Sequence, residues 1–510
     1  MTSAGGSIVE TTIRVSATAT SQAVTELLDV ARTQGESVQV LEVGPTGVPE
    51  LEPLVLLTED ETTAFYPDCS PGTLSDALRA DDPLSAAPFT VSHDDDVTGL
   101  PVPDDGPLSV GTRRVLDGCG WLVPDDLGGY RDYASDLVVD ADSLVSTVAD
   151  AGLLGRGRGD ARSEQPVGET WEQVAEASGD PVVVVNANEA DEHARMDQLL
   201  LESVPLTVLD PAVAAAESVG ASAIVVYVNE TDDLARRRIQ QAAVAFADES
   251  AVDVQVVAGP DEYKAGEMTM ALEALEGNDR IEARRRPPGP AEHGLHGRPT
   301  LVHTPRTFAQ VAALVREGST GADEDPGTRV FTVTGDAART ATVELPTDAS
   351  LSAVEAAAGT DAYKAACVGG VFGGFAPDLD VQASADALAD ERLGTNGIVE
   401  FLAEGRCLLA ETGKRAKFAH ENNCGRCVPC REGSKQLTDL LRAVYDGSYD
   451  SGKVAELVRV MESTSLCDFG VMAARPARTA MTHFESEFIT HAGGSCLSGD
   501  CDADATEVTA

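Results

Sequence analysis

Apolar residues recur in three different rhythms along this chain. The runs PVVVVNAN (181–188), SAIVVYVN (222–229) and VDVQVVAG (252–259) are nearly continuous and rich in β-branched residues. They are separated by MDQLLLES, DPAVAAAESVG, DDLARRRIQQAAVAFADES and EMTMALEALEG, whose apolar residues return every three or four positions. That alternation predicts a mostly parallel sheet covered by helices on both faces. Residues 11–85 have a looser order: strand-like TTIRVSA, VQVLEV and LEPLVLL, with helical AVTELLDVART and TLSDALRA. Residues 328–402, with TRVFTVTG, TATVELP, SLSAVEAAAG and KAACVGGVFGGF, predict a compact mixed unit. From 403 the period is helical throughout. Leu437, Leu440, Leu441 and Val444 share one face, as do Val454, Leu457, Val458 and Met461, and Ala477, Met481, Phe484 and Phe488. Such amphipathic helices are stable only when packed together.

The breaks between rhythms place the boundaries. An α/β unit spans 1–90, an acidic, proline-rich linker 91–108, a larger α/β unit 109–305, a mixed unit 306–402 and a helical unit 403–491. Residues 492–510, polar and rich in Gly and Asp, read as a disordered tail. At 510 residues the chain is long enough for three or four cores. No apolar run approaches the ~20 residues of a membrane span, and MTSAGGSIVE has neither a basic nor an apolar leader region. These features predict a cytoplasmic protein without direct membrane insertion.

Charge narrows the partners. The formal net charge is −48, with six lysines among 37 basic residues. The acid is spread along the chain between apolar positions, which predicts a heavily solvated surface suited to concentrated salt, as in halophilic proteins. Nucleic acid is excluded as a partner because phosphate binding needs a basic face.

The ten cysteines point to metal before disulfides. Cys69, Cys119, Cys367 and Cys407 are isolated and read as small buried or free thiols. Cys496 and Cys501 lie in the polar tail. Cys424, Cys427 and Cys430, in NNCGRCVPCREG, with Cys467 in STSLCDFG, are the standard thiolate supply for a [4Fe–4S] cluster; a Cys₄ zinc site is the alternative. Three evenly spaced cysteines and one remote one favour the cubane. Residues 406–435 carry seven cations against three carboxylates. A cationic shell would stabilise an anionic cluster, although the same stems could simply cover helix surface.

With these motifs in order, the sequence resembles the NADH-binding flavoprotein subunits of respiratory complex I and their relatives in soluble hydrogenases and formate dehydrogenases. CGRCVPCREG with TSLCDFG carries the resemblance most specifically. ALEG (274–277), PPGPAEHGLHGRPT (287–300), VFTVTGD (330–336), VGGVFGGF (368–375) and GTNGI (394–398) follow the family order. The resemblance implies an α/β multidomain chain: a thioredoxin-like domain, a flavodoxin-like FMN and NADH domain, a ubiquitin-like SLBB domain and a four-helix bundle with the cluster. In the first of these, Pro45 and Pro49 stand where relatives place [2Fe–2S] cysteines, and proline offers no ligand.

Carried over position by position, the cofactor-binding candidates are Gly155, Arg156, Gly157, Asn186, Glu189, Tyr263, Gly266 and Glu267. The surroundings depart from the family pattern. In GRGRGDARSEQPVGETW (155–171) four residues are inserted, Arg158 replaces a glycine, Thr170 replaces a lysine, and Asp160 and Glu164 bring negative charge towards a phosphate. Asn188, Met196, Gln198 and Met268 replace charged residues, and His303 and Thr304 replace an asparagine pair. A charge-assisted contact contributes ~1.5–3 kcal/mol, so losing several would weaken FMN and NADH binding by many orders of magnitude unless Arg156, Arg158 and Arg162 supply substitutes. The favoured reading is therefore an electron-transfer subunit with one [4Fe–4S] cluster, working with other redox subunits or electron carriers. The alternatives are an active FMN-dependent NADH:acceptor oxidoreductase subunit, with Glu189 and Tyr263 lining the nicotinamide pocket, and a non-redox scaffold with a structural metal.

Overall fold

The computed structural model describes residues 11–16, 22–33, 38–134, 141–499 and 501. Its architecture is mixed α/β with several sheets and many helices. The first sheet has strand order β2-β1-β3-β4-β5, from β1 (Thr11–Ser16), β2 (Val38–Val43), β3 (Leu54–Glu59), β4 (Thr62–Tyr66) and β5 (Phe89–Ser92). Only β1 and β2 pair in parallel. The proline- and aspartate-rich stretch 91–108 is no free tether: its first residues finish β5, and Leu100 and Leu108 are buried.

The β-branched runs form the second sheet, β6 (Val182–Ala187), β7 (Ala223–Asn229), β8 (Asp253–Gly259) and β9 (Thr300–His303), in the order β8-β7-β6-β9. Every pairing is parallel, and β6 is buried at every position, as a central strand with two covered faces must be. The helix read as starting near Asp210 begins earlier and runs Pro205–Val219 through Pro211. Burial on most of its length outweighs the lost N–H of the internal proline. Among the described residues no single helix is long and apolar enough to cross a membrane; Met196–Ser203 and Pro205–Val219 pass together, but are bent by 96°.

The third sheet comprises β10 (Thr328–Gly335), β11 (Ala341–Pro346), β12 (Ala365–Val368), β13 (Gly374–Ala376) and β14 (Ile398–Leu402), in the order β11-β10-β14-β12-β13. It shares an apolar core with the first sheet, where Leu56 and Phe65 meet Phe331 and Phe401. The loop with Pro45 and Pro49 is fixed from both sides. Half-buried Glu52 accepts from Ser16 Oγ and from the Thr46 and Leu54 N–H groups, the Pro45 carbonyl accepts from Ser203 Oγ, and the Gly47 carbonyl accepts the Thr342 N–H. Helices α1 (Leu408–Asn422), α2 (Val428–Tyr445), α3 (Ser451–Thr464) and α4 (Arg475–Ala492) end the described fold. Their inward faces, including Leu437, Leu441, Val458, Met461 and Phe488, join Tyr263 and Phe372 in one core. Residues 492–499 and 501, read as disordered, are described: Gly493, Gly494 and Ser495 donate backbone hydrogen bonds to the end of α4. Residues 502–510 lie outside the described residues.

Candidate functional site

The glycine-rich segment 155–171 lies beside the C-terminal ends of β6 and β9, where open α/β sheets place ligands. Here protein side chains fill that place. The Arg158 guanidinium lies 3.8 Å over the Tyr263 ring. Asn186 Nδ2 donates to the Gly159 and Gly266 carbonyls at 2.9 and 3.1 Å. Arg306 forms a two-pronged pair with Asp197, both contacts 3.0 Å, and reaches Glu189 at 3.2 Å. The cavity left between Arg158, Asn186, Glu189, Asp197 and Arg306 is about 30 Å³, room for a water or two; pockets for larger ligands run to ~300–1,000 Å³.

The inserted acids do not face this cavity. Asp160 is buried, accepting from His303 Nδ1 at 2.9 Å, Thr307 Oγ1 at 2.6 Å and the Thr304 N–H at 3.3 Å. His303 Nε2 accepts from Trp171 Nε1 at 2.9 Å, which fixes the imidazole tautomer. Glu164 pairs with Arg329 at 2.6 Å. Arg156 also turns away: it pairs with Asp325 at 2.8 Å and donates to the Pro326 carbonyl at 2.8 Å. The expectation that Asp160 and Glu164 would carry charge towards a phosphate is thus corrected. Each has a cation or hydrogen-bond donor more than a hundred residues away in sequence.

Of the candidates by resemblance, Asn186, Glu189 and Gly266 line the cavity. Gly155 packs inside its own loop, where a Cβ would lie 2.4 Å from the Arg162 carbonyl oxygen. A Cβ on Gly157 would meet Arg306 Nη2 at 2.5 Å, and one on Gly266 would meet Arg158 Nη2 at 2.7 Å. The glycine faces that would admit phosphate already touch protein. Glu267 caps the helix Met268–Leu275, accepting from the Thr269 and Met270 N–H groups at 2.9 and 3.0 Å. Burial, with Asp197 alongside, pushes the Glu189 carboxyl up to about 8 despite Arg306. The fit to a flavin mononucleotide is therefore partial: Arg156, Asp160 and Asp197 are taken up by protein partners, whereas Arg158 Nη1, Tyr263 Oη and Glu267 Oε1 are buried without a hydrogen-bond partner.

The cysteines behave differently. Cys427 is the N-cap of α2 and Cys430 lies in its first turn. Cys467 is the N-cap of the short helix Asp468–Met472. Gly425, at φ +77°, turns the chain between Cys424 and Cys427. Gly470 permits the closest approach, since a Cβ there would lie 2.9 Å from that of Cys430. All four cysteines line one small pocket with Phe469 and Ala283. Burial holds the Cys430 thiol far above its ordinary range, reinforced by Cys427, Cys467 and Cys424. Burial likewise pushes Cys467 up to about 12, with Glu267 adding to it. Four thiols gathered round one pocket suit an ion or cluster that displaces their protons. Among the described residues, no three of these sulfurs lie mutually within 4.8 Å.

Tyr263 links the two places. Its ring packs edge-on against Phe372, Phe418 and Phe469 at 5.2, 5.4 and 5.7 Å, so one aromatic cluster touches both Arg158 and the cysteine pocket. Sequence patterns alone do not mark Arg306 or Phe418 as part of a site, whereas Phe469 and Phe372 lie in the motifs TSLCDFG and VGGVFGGF.

The fold and the cysteine pocket define an iron–sulfur protein of the NADH dehydrogenase type. Two family models match: the NADH-ubiquinone oxidoreductase-F iron–sulfur binding region over residues 411–491 and the Nuo51 FMN-binding domain over 148–313. The chain is 31% identical over 395 residues to the F 2 subunit of the NADH-quinone oxidoreductase of Rhizobium meliloti (strain 1021), covering 71% of this chain and 92% of that protein. It is 28% identical over 419 residues to HndC, the NADP-reducing hydrogenase subunit of Solidesulfovibrio fructosivorans, covering 75% and 83%. A crystal structure of an NAD⁺-reducing [NiFe]-hydrogenase superposes with a TM-score of 0.64 at 24% identity, covering 95% of this chain and 85% of that one; this likeness concerns the fold. The chain belongs to the family of NADH-quinone oxidoreductase F subunits.

Proposed function

We propose that this chain is an electron-transfer subunit that binds one [4Fe–4S] cluster through Cys424, Cys427, Cys430 and Cys467. The observation that carries the reading is the meeting of four thiols from two separate segments in one pocket. The cluster supplies one-electron transfer. The chain supplies the ligands, the N-terminal turns of α2 and of Asp468–Met472, whose dipoles favour thiolate, and the apolar wall of Phe469 and Ala283, which excludes water. Other redox subunits or soluble carriers exchange electrons with it, consistent with relatives named as subunits of an oxidoreductase and a hydrogenase. Its units are read as a thioredoxin-like domain (1–90), an α/β domain of flavodoxin type (109–305), a ubiquitin-like domain (306–402) and a helical cluster domain (403–491). It works in the cytoplasm, in concentrated salt.

A second reading, an active NADH:acceptor oxidoreductase, draws on the FMN-binding family match over 148–313 and on the retained Asn186, Glu189 and Tyr263. It requires Arg158 to leave the Tyr263 ring and the Arg306 pairs to open.

Anaerobic purification of the full chain with assay of iron, sulfide and zinc tests the first reading. It expects about four iron and four sulfide per chain. A chain holding zinc at all four cysteines and no iron would overturn it.

A further inference from the structure

A second sulfur- and nitrogen-bearing cluster forms at the opposite end of α1. Cys407 Sγ, His491 Nε2 and Cys496 Sγ all lie within 4.8 Å of one another. Helix α1 has 15 residues, so about 22 Å of helix separates this group from the cysteine pocket. By sequence the two thiols are an isolated cysteine and part of a polar tail; the fold brings them together on a buried histidine.

The local geometry resembles a built ligand set more than a chance contact. His491 Nδ1 faces the Glu487 carbonyl at 2.8 Å. A carbonyl only accepts, so Nδ1 carries the proton and the Nε2 lone pair is aimed at Cys407, 3.4 Å away. A backbone carbonyl holding the far nitrogen is the usual way a metal-binding histidine is fixed. With Zn–S of about 2.3 Å and Zn–N of about 2.0 Å, the S···N edge of a tetrahedral site is about 3.5 Å. Cys407 is the N-cap of α1 and accepts the Ala410 N–H, at the helix end that favours thiolate. Cys496 is met by the backbone N–H groups of Ser498, Gly499 and Cys501 and by the Cys501 thiol.

Independent contacts hold the segment there. Ser498 Oγ donates to the Arg406 carbonyl at 2.9 Å. Lys364 Nζ bonds the same carbonyl and Ser498 Oγ, and pairs with Glu487 at 2.8 Å. Glu487 in turn accepts the Leu408 N–H at 2.9 Å. The loop carrying Cys496 is thereby tied to the first turn of α1 and the last turn of α4.

We propose that Cys407, His491 and Cys496 bind one Zn²⁺, with Cys501 closing the tetrahedron as the fourth ligand. Three sulfurs and one imidazole with no position left for water make a closed structural site, and soft thiolates with imidazole select zinc over hard cations. The site staples the chain beyond α4 to α1, at the far end of the helix from the electron-transfer centre.

The test uses the full chain with its iron–sulfur centre intact. Metal analysis after exhaustive desalting is expected to find about one zinc per chain beside the iron. Cys496→Ser, at a partly exposed position, and Cys501→Ser are each expected to lower zinc retention by tenfold or more while iron content stays unchanged. Cobalt exchanged into this position is expected to show a thiolate-to-cobalt charge-transfer band that Cys496→Ser removes. No zinc in the wild-type chain, a disulfide joining Cys496 to Cys407 or Cys501, or full zinc retention in Cys496→Ser would each overturn the proposal.

Discussion

The glycine-rich segment and the cysteine pocket both answer to family motifs, and they have gone opposite ways. Both cavities are small, so volume does not separate them. What differs is the state of the donors. Around residues 155–171 most of the polar shell already has a protein partner: Arg156 with Asp325, Asp160 with His303, Arg306 with Asp197, with Arg158 Nη1 left unpartnered. In the cysteine pocket four thiols gather round one gap, beside the apolar Phe469 and Ala283. A site that satisfies itself has little to offer a ligand, because each new contact first breaks an old one. A set of thiols gathered in one pocket gains when a metal centre takes the place of their protons.

The largest expected effect is on the cysteine side. Cys427→Ser should remove essentially all cluster iron and lower the melting temperature of the helical region, because bound metal contributes folding energy. Unchanged iron in the variant, measured anaerobically, would break the comparison at once.

On the other side, Asp160→Ala leaves His303 Nδ1–H and the Thr307 hydroxyl without an acceptor in a fully buried place. Denaturant unfolding should show a loss of about 1–3 kcal/mol for each donor left unsatisfied. A loss no larger than that of a surface substitution would mean that the network does not hold the pocket shut.

Glu189 provides a pH test. Burial raises its folded carboxyl to about 8 from an ordinary 4.5. It is protonated in the fold and ionised in the unfolded chain across that window. Its contribution to stability is therefore full below the unfolded value and is lost as pH rises through about 8. Glu189→Gln should flatten the fall of melting temperature between those values, and identical slopes for the two proteins would contradict the assignment. The smallest effect belongs to Arg158→Ala, which removes the cation from the Tyr263 ring and should cost about 1–2 kcal/mol, read by the same unfolding assay.

These contrasts were unequally legible in the sequence. The β-branched runs marked the parallel sheet, because buried strands must be apolar at every position. Cys424, Cys427 and Cys430 were legible because their spacing is local, and the amphipathic helix before Cys467 implied its return. The direction of Asp160 was not: its partners His303 and Thr307 lie over 140 residues away, and charge alone suggested the opposite orientation. Arg306 has no motif around it in the sequence, and only the fold sets it against Asp197 and Glu189. Cys407 and Cys496 carried no shared signal, since His491 and the turn after α4 bring them together.

The difference between the two regions comes down to which reductant reaches the iron. The most direct measurement follows the visible spectrum of the cluster-loaded chain under anaerobic conditions, with FMN supplied, as NADH and then dithionite are added. Bleaching with dithionite alone is expected of a chain whose flavin cradle is closed by Arg158 and Arg306. Bleaching by NADH at a rate that depends on FMN would contradict it.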